Sequence, residues 1–478
     1  MQSNSKVKEF YSKIKGAHVA VMGVGISNRP LIRYIYKLGA KITAFDALPE
    51  DDPVLSKTKS DFEGEGIHLH WSCGESYLSA LEKNEYTYIF RTPKMRFDVP
   101  ELQKAVEKGS VLTSELQLFM ELCPAKIFGI TGSDGKTTTT TLVSLFLQEA
   151  GYRVFLGGNI GFPLLDQIEK VGEDDMVVLE LSSFQLSTMK KSADISVVTN
   201  VTPNHLDVHK DYQEYIDAKK NIFVNQGYDG RLVLNLDNEI TKGMSGERRG
   251  QLCYFSRKGA PSTVLPLVDY VFCDDDSIYT MVNGEKKKAF STKDILLLGD
   301  HNIENYMAAM ACALPYVSVE KMQKVAKTFP GVEHRIELVR TLKGVRYYNS
   351  SIDTSPNRTI HTMNALQKRG DKGVLIAGGA DKKCDYTGLG EAILAVCDRI
   401  ILCGSNAPFI IKALEDEGSE ISYQLFEEES FEEAVLRSQE IAKEGEIVIL
   451  SPVGTSYDRF RHFEERGNLF KKLIQELS

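Results

Sequence analysis

The sequence predicts an α/β protein of three domains, and three observations carry that prediction. The chain has 478 residues, about three times the ~150 typical of one domain. Apolar runs alternate with amphipathic stretches in the βαβα manner of parallel sheets. The alternation restarts at His18 (HVAVMGVGIS), at Lys126 (KIFGITGSDGKTTTT) after Pro124, and near Gly331 (GVEHRIELV) after a helical stretch at 302–328. The expected domains are 1–124, 125–330 and 331–478, the central one built on a mostly parallel sheet.

Composition narrows the function. With 42% apolar and 26% charged residues the chain can bury sizeable cores. A net charge of −9 disfavours non-specific binding to nucleic acid or anionic membranes. No run of ~18 apolar residues exists to span a bilayer, and the first residues lack a signal-peptide core. The eight cysteines form no CxxC pair. They read as small buried hydrophobes in a reducing cytoplasm, not as zinc ligands or disulfides.

In the first domain, the strand HVAVM runs into Gly23-Val24-Gly25, and a second strand, KITAF, ends at Asp46. This is half of a dinucleotide fingerprint, since the third glycine is replaced by Asn28. Two readings stay open: a tight turn before a helix, or backbone N–H groups facing a diphosphate while Asp46 reaches a ribose or base.

The second glycine turn is more specific. KIFGIT feeds Gly132-Ser133-Asp134-Gly135-Lys136-Thr137-Thr138 and then a helix, although Ile130 stands where a full P-loop has glycine. Such glycines let N–H groups curl around phosphates at a helix N-terminus. Lys136 would reach the β- and γ-phosphates, and the Thr137 hydroxyl would ligate Mg²⁺. A metal carboxylate is expected on a neighbouring strand, and MVVLE supplies Glu180 after four apolar residues. Then ISVVTNV leads into a loop holding His205, Asp207 and His209. In the following helix, Tyr212, Tyr215, Ile216, Ile222 and Phe223 define an apolar face, with Lys219 near its middle and Lys220 at its edge. Either Lys219 snorkels to water, or it is a functional lysine whose carbamate would be an anionic metal ligand. The last domain has strands VLIAGG, RIILCG and EIVILSP, each ending in Gly or Pro as at ligand-binding strand ends.

Together, TGSDGKTTT, GGNIG, LELSSFQL, NVTPNHLDVH, AKKNIF, GDHNIENYMAA, GVEHRIE, GGADKKCDY and SPVGTSYDRFRHFEERG resemble the Mur ligases, and among them the D-glutamate-adding branch. The resemblance implies a Rossmann-like first domain that binds a uridine nucleotide, a central P-loop ATPase domain and a Rossmann-like third domain. It implies a monomer that uses ATP and two Mg²⁺ to join D-glutamate to UDP-N-acetylmuramoyl-L-alanine through an acyl phosphate. By the same resemblance Gly132 to Thr138 bind ATP, with Asn302, Asn305 and Arg335 contacting nucleotide or phosphate. Thr137, Glu180, His205 and a carbamoylated Lys219 hold metal. Lys136, His205, Lys219 and Arg335 serve catalysis. Ser27, Asp46 and Asn159 face the uridine substrate, and Thr354, Lys382, Ser456 and Phe463 surround D-glutamate.

The chain departs from the family in two places. Where many members have Asn-Asp-Ser-Lys-x-Thr-Asn, it reads Asn349-Ser350-Ser351-Ile352-Asp353-Thr354-Ser355, so an acid and a base are missing together. Thr92-Pro93-Lys94 replaces a Ser-Pro-Gly near the diphosphate, which leaves Lys94 and Arg96 either as cations for that diphosphate or as solvated surface charges. Rival readings are a folylpolyglutamate-type ligase, a cell-wall amidotransferase subunit, and a nucleotide-binding regulator without catalysis. The absence of CxxC argues against the second, and only the charges missing at 350 and 352 support the third.

Overall fold

The computed structural model of the chain describes residues 4–478 except 26, 94, 162, 204–207, 262, 298, 382–383, 417–423 and 429. Each of the three restarts opens a sheet of its own. The first sheet holds β1 (His18–Met22), β2 (Lys41–Asp46), β3 (His70–Cys73), β4 (Tyr88–Arg91) and β5 (Val111–Thr113), all parallel in the order β3-β2-β1-β4-β5.

The second sheet holds β6 (Lys126–Thr131), β7 (Val154–Gly158), β8 (Met176–Glu180), β9 (Ile195–Val198), β10 (Arg231–Asn235), β11 (Gln251–Ser256), β12 (Val268–Asp274), β13 (Ser277–Val282) and β14 (Glu285–Ser291). Its order is β14-β13-β12-β11-β10-β9-β6-β8-β7, parallel except where β13 and β14 fold back antiparallel. Their hairpin turns on Asn283 and Gly284, both at positive φ (51° and 79°), a two-residue turn that matches strand twist. The outer strand β14 carries Lys286, Lys287 and Lys288 in a row, all exposed.

The third sheet holds β15 (Glu337–Leu342), β16 (Val345–Asn349), β17 (Gly373–Ala377), β18 (Cys397–Leu402), β19 (Gln424–Glu427) and β20 (Ile447–Leu450), in the order β15-β16-β20-β17-β18-β19. Only β15 runs antiparallel.

The chain forms two compact units, Met1–Thr328 and Phe329–Ser478. The first sheet ends at Thr113 and the second begins at Lys126, and both lie in the first unit and share one apolar core. The reason is the helix Glu115–Leu122, where Leu116, Leu118, Phe119, Met120 and Leu122 are all buried. Burying each such side chain stabilises by about 1.5–3 kcal/mol, so this connection packs as core. The two units part between Thr328 and Phe329. The helical stretch expected over 302–328 is two helices, Asp300–Ala313 and Val319–Thr328, interrupted at Pro315, which has no N–H to continue the first.

All eight cysteines are free and six are buried. Burial pushes the Cys253 thiol up to about 11. No helix among the described residues is long and apolar enough to cross a membrane.

Candidate functional site

The second glycine turn leaves β6 at the C-terminal edge of its sheet. Glycine is required at Gly132, because a Cβ there would lie 1.8 Å from Thr199 Oγ1. It is required again at Gly135 (φ 77°), where a Cβ would meet Asn305 Oδ1 at 2.1 Å. The loop is held from β9's end: Ser133 N–H donates to Asn200 O and Asp134 N–H to Asn200 Oδ1, both at 2.9 Å. The helix Lys136–Ala150 starts directly after Gly135, so its N-terminal N–H groups face the turn. Thr137 and Thr138 occupy its first turn.

Lys136 Nζ donates to Gly132 O at 3.0 Å and Ser133 O at 2.9 Å. The same Gly132 carbonyl accepts Lys219 Nζ at 2.7 Å. Lys219 lies on the helix Tyr212–Lys220, is 1% exposed, and sits 4.5 Å over the Tyr215 ring. Desolvation first, then the neighbouring Lys136 charge, holds its amine well below the usual lysine range. It does not snorkel. Lys220 does reach solvent, pairing with Asp217 at 3.2 Å and Glu247 at 2.8 Å.

Glu180 ends β8 in register with Ile130 of β6, so it stands beside the turn. It is 2% exposed. Its Oε1 accepts from Asn159 Nδ2 at 2.8 Å, while Oε2 is buried with no hydrogen-bond partner among the described residues. A buried carboxylate oxygen left unpaired is costly, and a cation would satisfy it. Asn159, expected at the uridine substrate, is thus brought to Glu180, and its N–H donates to Glu180 O at 2.7 Å. Asn305 Nδ2 donates to Asn302 Oδ1 at 3.0 Å, which places both asparagines beside Gly135. His205 and Asp207 lie outside the described residues. His209 is buried, hydrogen-bonded to Ser183 Oγ at 2.9 Å and stacked on Phe184.

On the first sheet, Asp46 Oδ2 accepts from Val24 N–H at 3.2 Å, so the carboxylate faces the GxG turn. Asn28 explains the missing third glycine: its Nδ2 donates to Met22 O and Gly23 O, tying the turn from inside. Ser27 is exposed just before the helix Asn28–Lys37. Arg96 is partly exposed and paired with Asp98 and Glu214. Lys94 lies outside the described residues.

In the second unit, Phe463 is edge-on to His334 at 5.9 Å, and its carbonyl accepts from Ser351 Oγ at 2.8 Å. Ser456 is buried, and Thr354 N–H donates to Ile352 O at 2.8 Å. Burial raises the Asp353 carboxyl against the opposing hydrogen bonds of Ser350, Ser451 and Thr362 and, more weakly, the charge of the partly buried Arg335. Lys382 lies outside the described residues, and Tyr386 OH donates to its neighbour Asp381 at 2.9 Å. Ser350 is fully buried and accepts from Ile336 N–H at 3.3 Å.

Sequence reasoning missed Arg466. This 1%-exposed guanidinium donates to Ser351 Oγ and O and to Gly378 and Gly454 carbonyls, gathering the ends of three strands. Burial lowers it to about 10. The signal was present: Arg466 falls between Phe463 and Phe470 on one helical face. Arg91 was missed too. It is buried and donates to Phe184 O and Thr188 Oγ1, stapling β4's end to the second sheet.

Residues 130–313 match the family model described as the Mur ligase middle domain, and 334–454 that of the Mur ligase glutamate ligase domain. The chain is 48% identical to the UDP-N-acetylmuramoylalanine–D-glutamate ligase of Acetivibrio thermocellus, covering 99% of both chains. It is 46% identical to the enzyme of that name from Ruminiclostridium cellulolyticum, covering 99% of this chain and 100% of the other. Among solved structures it is similar in fold to a UDP-N-acetylmuramoyl-L-alanyl-D-glutamate–2,6-diaminopimelate ligase (TM-score 0.54, 16% identity, 92% and 93% of the two chains). It is also similar to the MurF ligase from Thermotoga maritima in complex with ADP (TM-score 0.53, 16% identity, 98% and 97%).

Proposed function

The chain belongs to the Mur ligase family, and from that premise we propose that it joins D-glutamate to UDP-N-acetylmuramoyl-L-alanine with hydrolysis of ATP. It is an ATP-dependent amide-bond-forming ligase of peptidoglycan precursor synthesis. The observation that carries the site reading is the strand–turn–helix with Lys136 and Lys219 on one carbonyl, beside a carboxylate whose buried oxygen has no partner among the described residues.

In this reading the alanyl carboxylate attacks the γ-phosphorus and the bond to the bridging oxygen of ADP breaks. The D-glutamate amine then attacks the acyl carbon, phosphate leaves, and the amine proton passes to solvent. Lys136 turns from its own loop carbonyls to the β- and γ-phosphate oxygens, and the N–H groups of 132–138 cradle them. Asn302 and Asn305 flank the nucleotide, and Arg335 offsets charge on the transferred phosphate. Ser27, Asp46 and Asn159 serve the uridine substrate. Thr354, Lys382, Ser456 and Phe463 serve D-glutamate, with Lys382 taking a carboxylate.

The residues present fit Mg²⁺. Thr137, Glu180, His205 and carbamoylated Lys219 would hold it, and when bound it neutralises phosphate charge. A neutral Lys219 amine is the form that adds to CO₂: its lone pair forms the N–C bond and one N–H proton goes to solvent. The division of labour among 1–124, 125–330 and 331–478, action as a monomer, and a cytoplasmic site of work belong to the same proposal.

The test is ADP release from the purified protein. Release should require both UDP-N-acetylmuramoyl-L-alanine and D-glutamate and should disappear in a folded Lys136→Ala variant. Release with a folate substrate instead favours the folylpolyglutamate-type reading. ATP binding without turnover favours the regulator.

A further inference from the structure

We propose that Arg96 is a positioning residue for the helix that bears Lys219, tying that helix to the loop after β4. The proposal rests on the ligase reading above. Arg96 belongs to the first sheet's loop, yet its guanidinium forms a fork on Glu214, 118 residues away: Nη2 to Oε1 at 3.1 Å and Nη1 to Oε2 at 3.4 Å. Nη1 also donates to Val208 O at 2.9 Å, and Nε and Nη2 hold Asp98 at 2.8 and 2.7 Å. All three nitrogens are therefore committed before any substrate arrives.

Glu214 stands in the first turn of the helix Tyr212–Lys220, where Asp211 caps its N–H at 2.8 Å. Glu214 Oε2 also accepts Lys210 N–H and lies 4.0 Å from His209 Nδ1. His209 Nε2 in turn meets Ser183 Oγ, which opens the short helix after Glu180's strand. One arginine thus gathers Val208, His209, Lys210 and the helix start against the residues that follow Glu180. Burial opposes ionisation of Glu214, but the Lys210 N–H and Arg96 draw its carboxyl below the usual range.

A forked pair joined by a second carboxylate, Asp98, and partly buried at the Glu214 end, is more constrained than an ordinary surface ion pair. Lys219 follows Glu214 by five residues, about 7.5 Å along the axis at the ~1.5 Å rise of a helix. A helix pinned at its first turn keeps the Lys219 Nζ on Gly132 O. Released there, it can rotate or slide, and the lysine leaves the turn.

The experiment measures kcat and KM for each substrate, and melting temperature as a check on folding, in Arg96→Gln, Arg96→Lys, Glu214→Gln and the Gln/Gln double variant. Each Gln single should lower kcat about tenfold or more while KM for the uridine substrate moves less than about threefold. The double should be no worse than the worse single, and Arg96→Lys should regain part of the loss, because one ammonium replaces a fork.

A rise in that KM alone, with Glu214→Gln silent, makes Arg96 a substrate contact and overturns the proposal. Additive losses or unchanged kinetics overturn it as well. Amide hydrogen exchange over 212–220 supplies a readout that needs no turnover. It should quicken in both Gln singles, and unchanged exchange refutes the proposal even if the wild type ligates nothing, a result that would separately sink the ligase reading.

Discussion

Lys136 and Lys219 both donate to the carbonyl of Gly132, and only one of them pays for burial. Lys136 stays half-buried, while Lys219 is sealed at 1% exposure. Lys219→Ala should therefore lose about 100-fold or more in kcat, the scale of removing one electrostatic group from a closed site. Added short carboxylic acids should restore part of that activity by standing in for the carbamate oxygens. Lys220→Ala should change kcat less than about twofold, because its partners are the surface groups Asp217 and Glu247. Steady-state kinetics with and without acetate checks all three. Lys219 was legible in the sequence because its apolar neighbours recur at helical spacing. Arg96 was not, since Glu214 is 118 positions away and only tertiary structure brings them together.

At the scale of elements, the helix Glu115–Leu122 does more than connect two sheets. Glu115 is buried, and its Oε1 accepts from the N–H groups of Leu164 and Leu165 at 3.0 and 2.8 Å, capping the short helix that follows GGNIG. Burial pushes its carboxyl up from 4.5 to about 7. Between those two values the folded chain holds a proton that the unfolded chain has lost, so stability falls as pH rises across that window. The full effect is about 3 kcal/mol at the ~1.36 kcal/mol per pH unit of linkage. Glu115→Gln keeps the accepting oxygen without the charge. Its melting temperature relative to wild type should climb between pH 5 and pH 8, which differential scanning calorimetry at both pH values checks. The strands around the turn were readable because β6, β8 and β9 are short and mainly apolar. The capping role of Glu115 was not, because a carboxylate after Ser114 reads as an ordinary solvent-facing first-turn acid. The hairpin β13–β14 was readable from Asn283-Gly284 but went unread, since the parallel pattern dominated the region.

At the scale of the molecule, the unit Phe329–Ser478 has its own six-stranded sheet and apolar clusters on both faces. Residues 329–478 expressed alone should fold cooperatively, as a single urea transition followed by circular dichroism would show. Arg466→Ala should abolish that transition or lower its stability by about 3–5 kcal/mol, because it leaves a cavity and strips buried carbonyls of their donor. The first unit has a different exposure to risk. Its nine-stranded sheet ends on β14, whose outward N–H and C=O groups are a template for another chain. Lys286, Lys287 and Lys288 stand along that edge, with Lys286 also lying over Phe272 and Tyr279. Replacing the three with threonine keeps strand propensity and removes the charge. In a crowded cell that change would turn a working enzyme into a nucleus for its own precipitation, visible as rising light scattering at concentrations where the wild type stays clear.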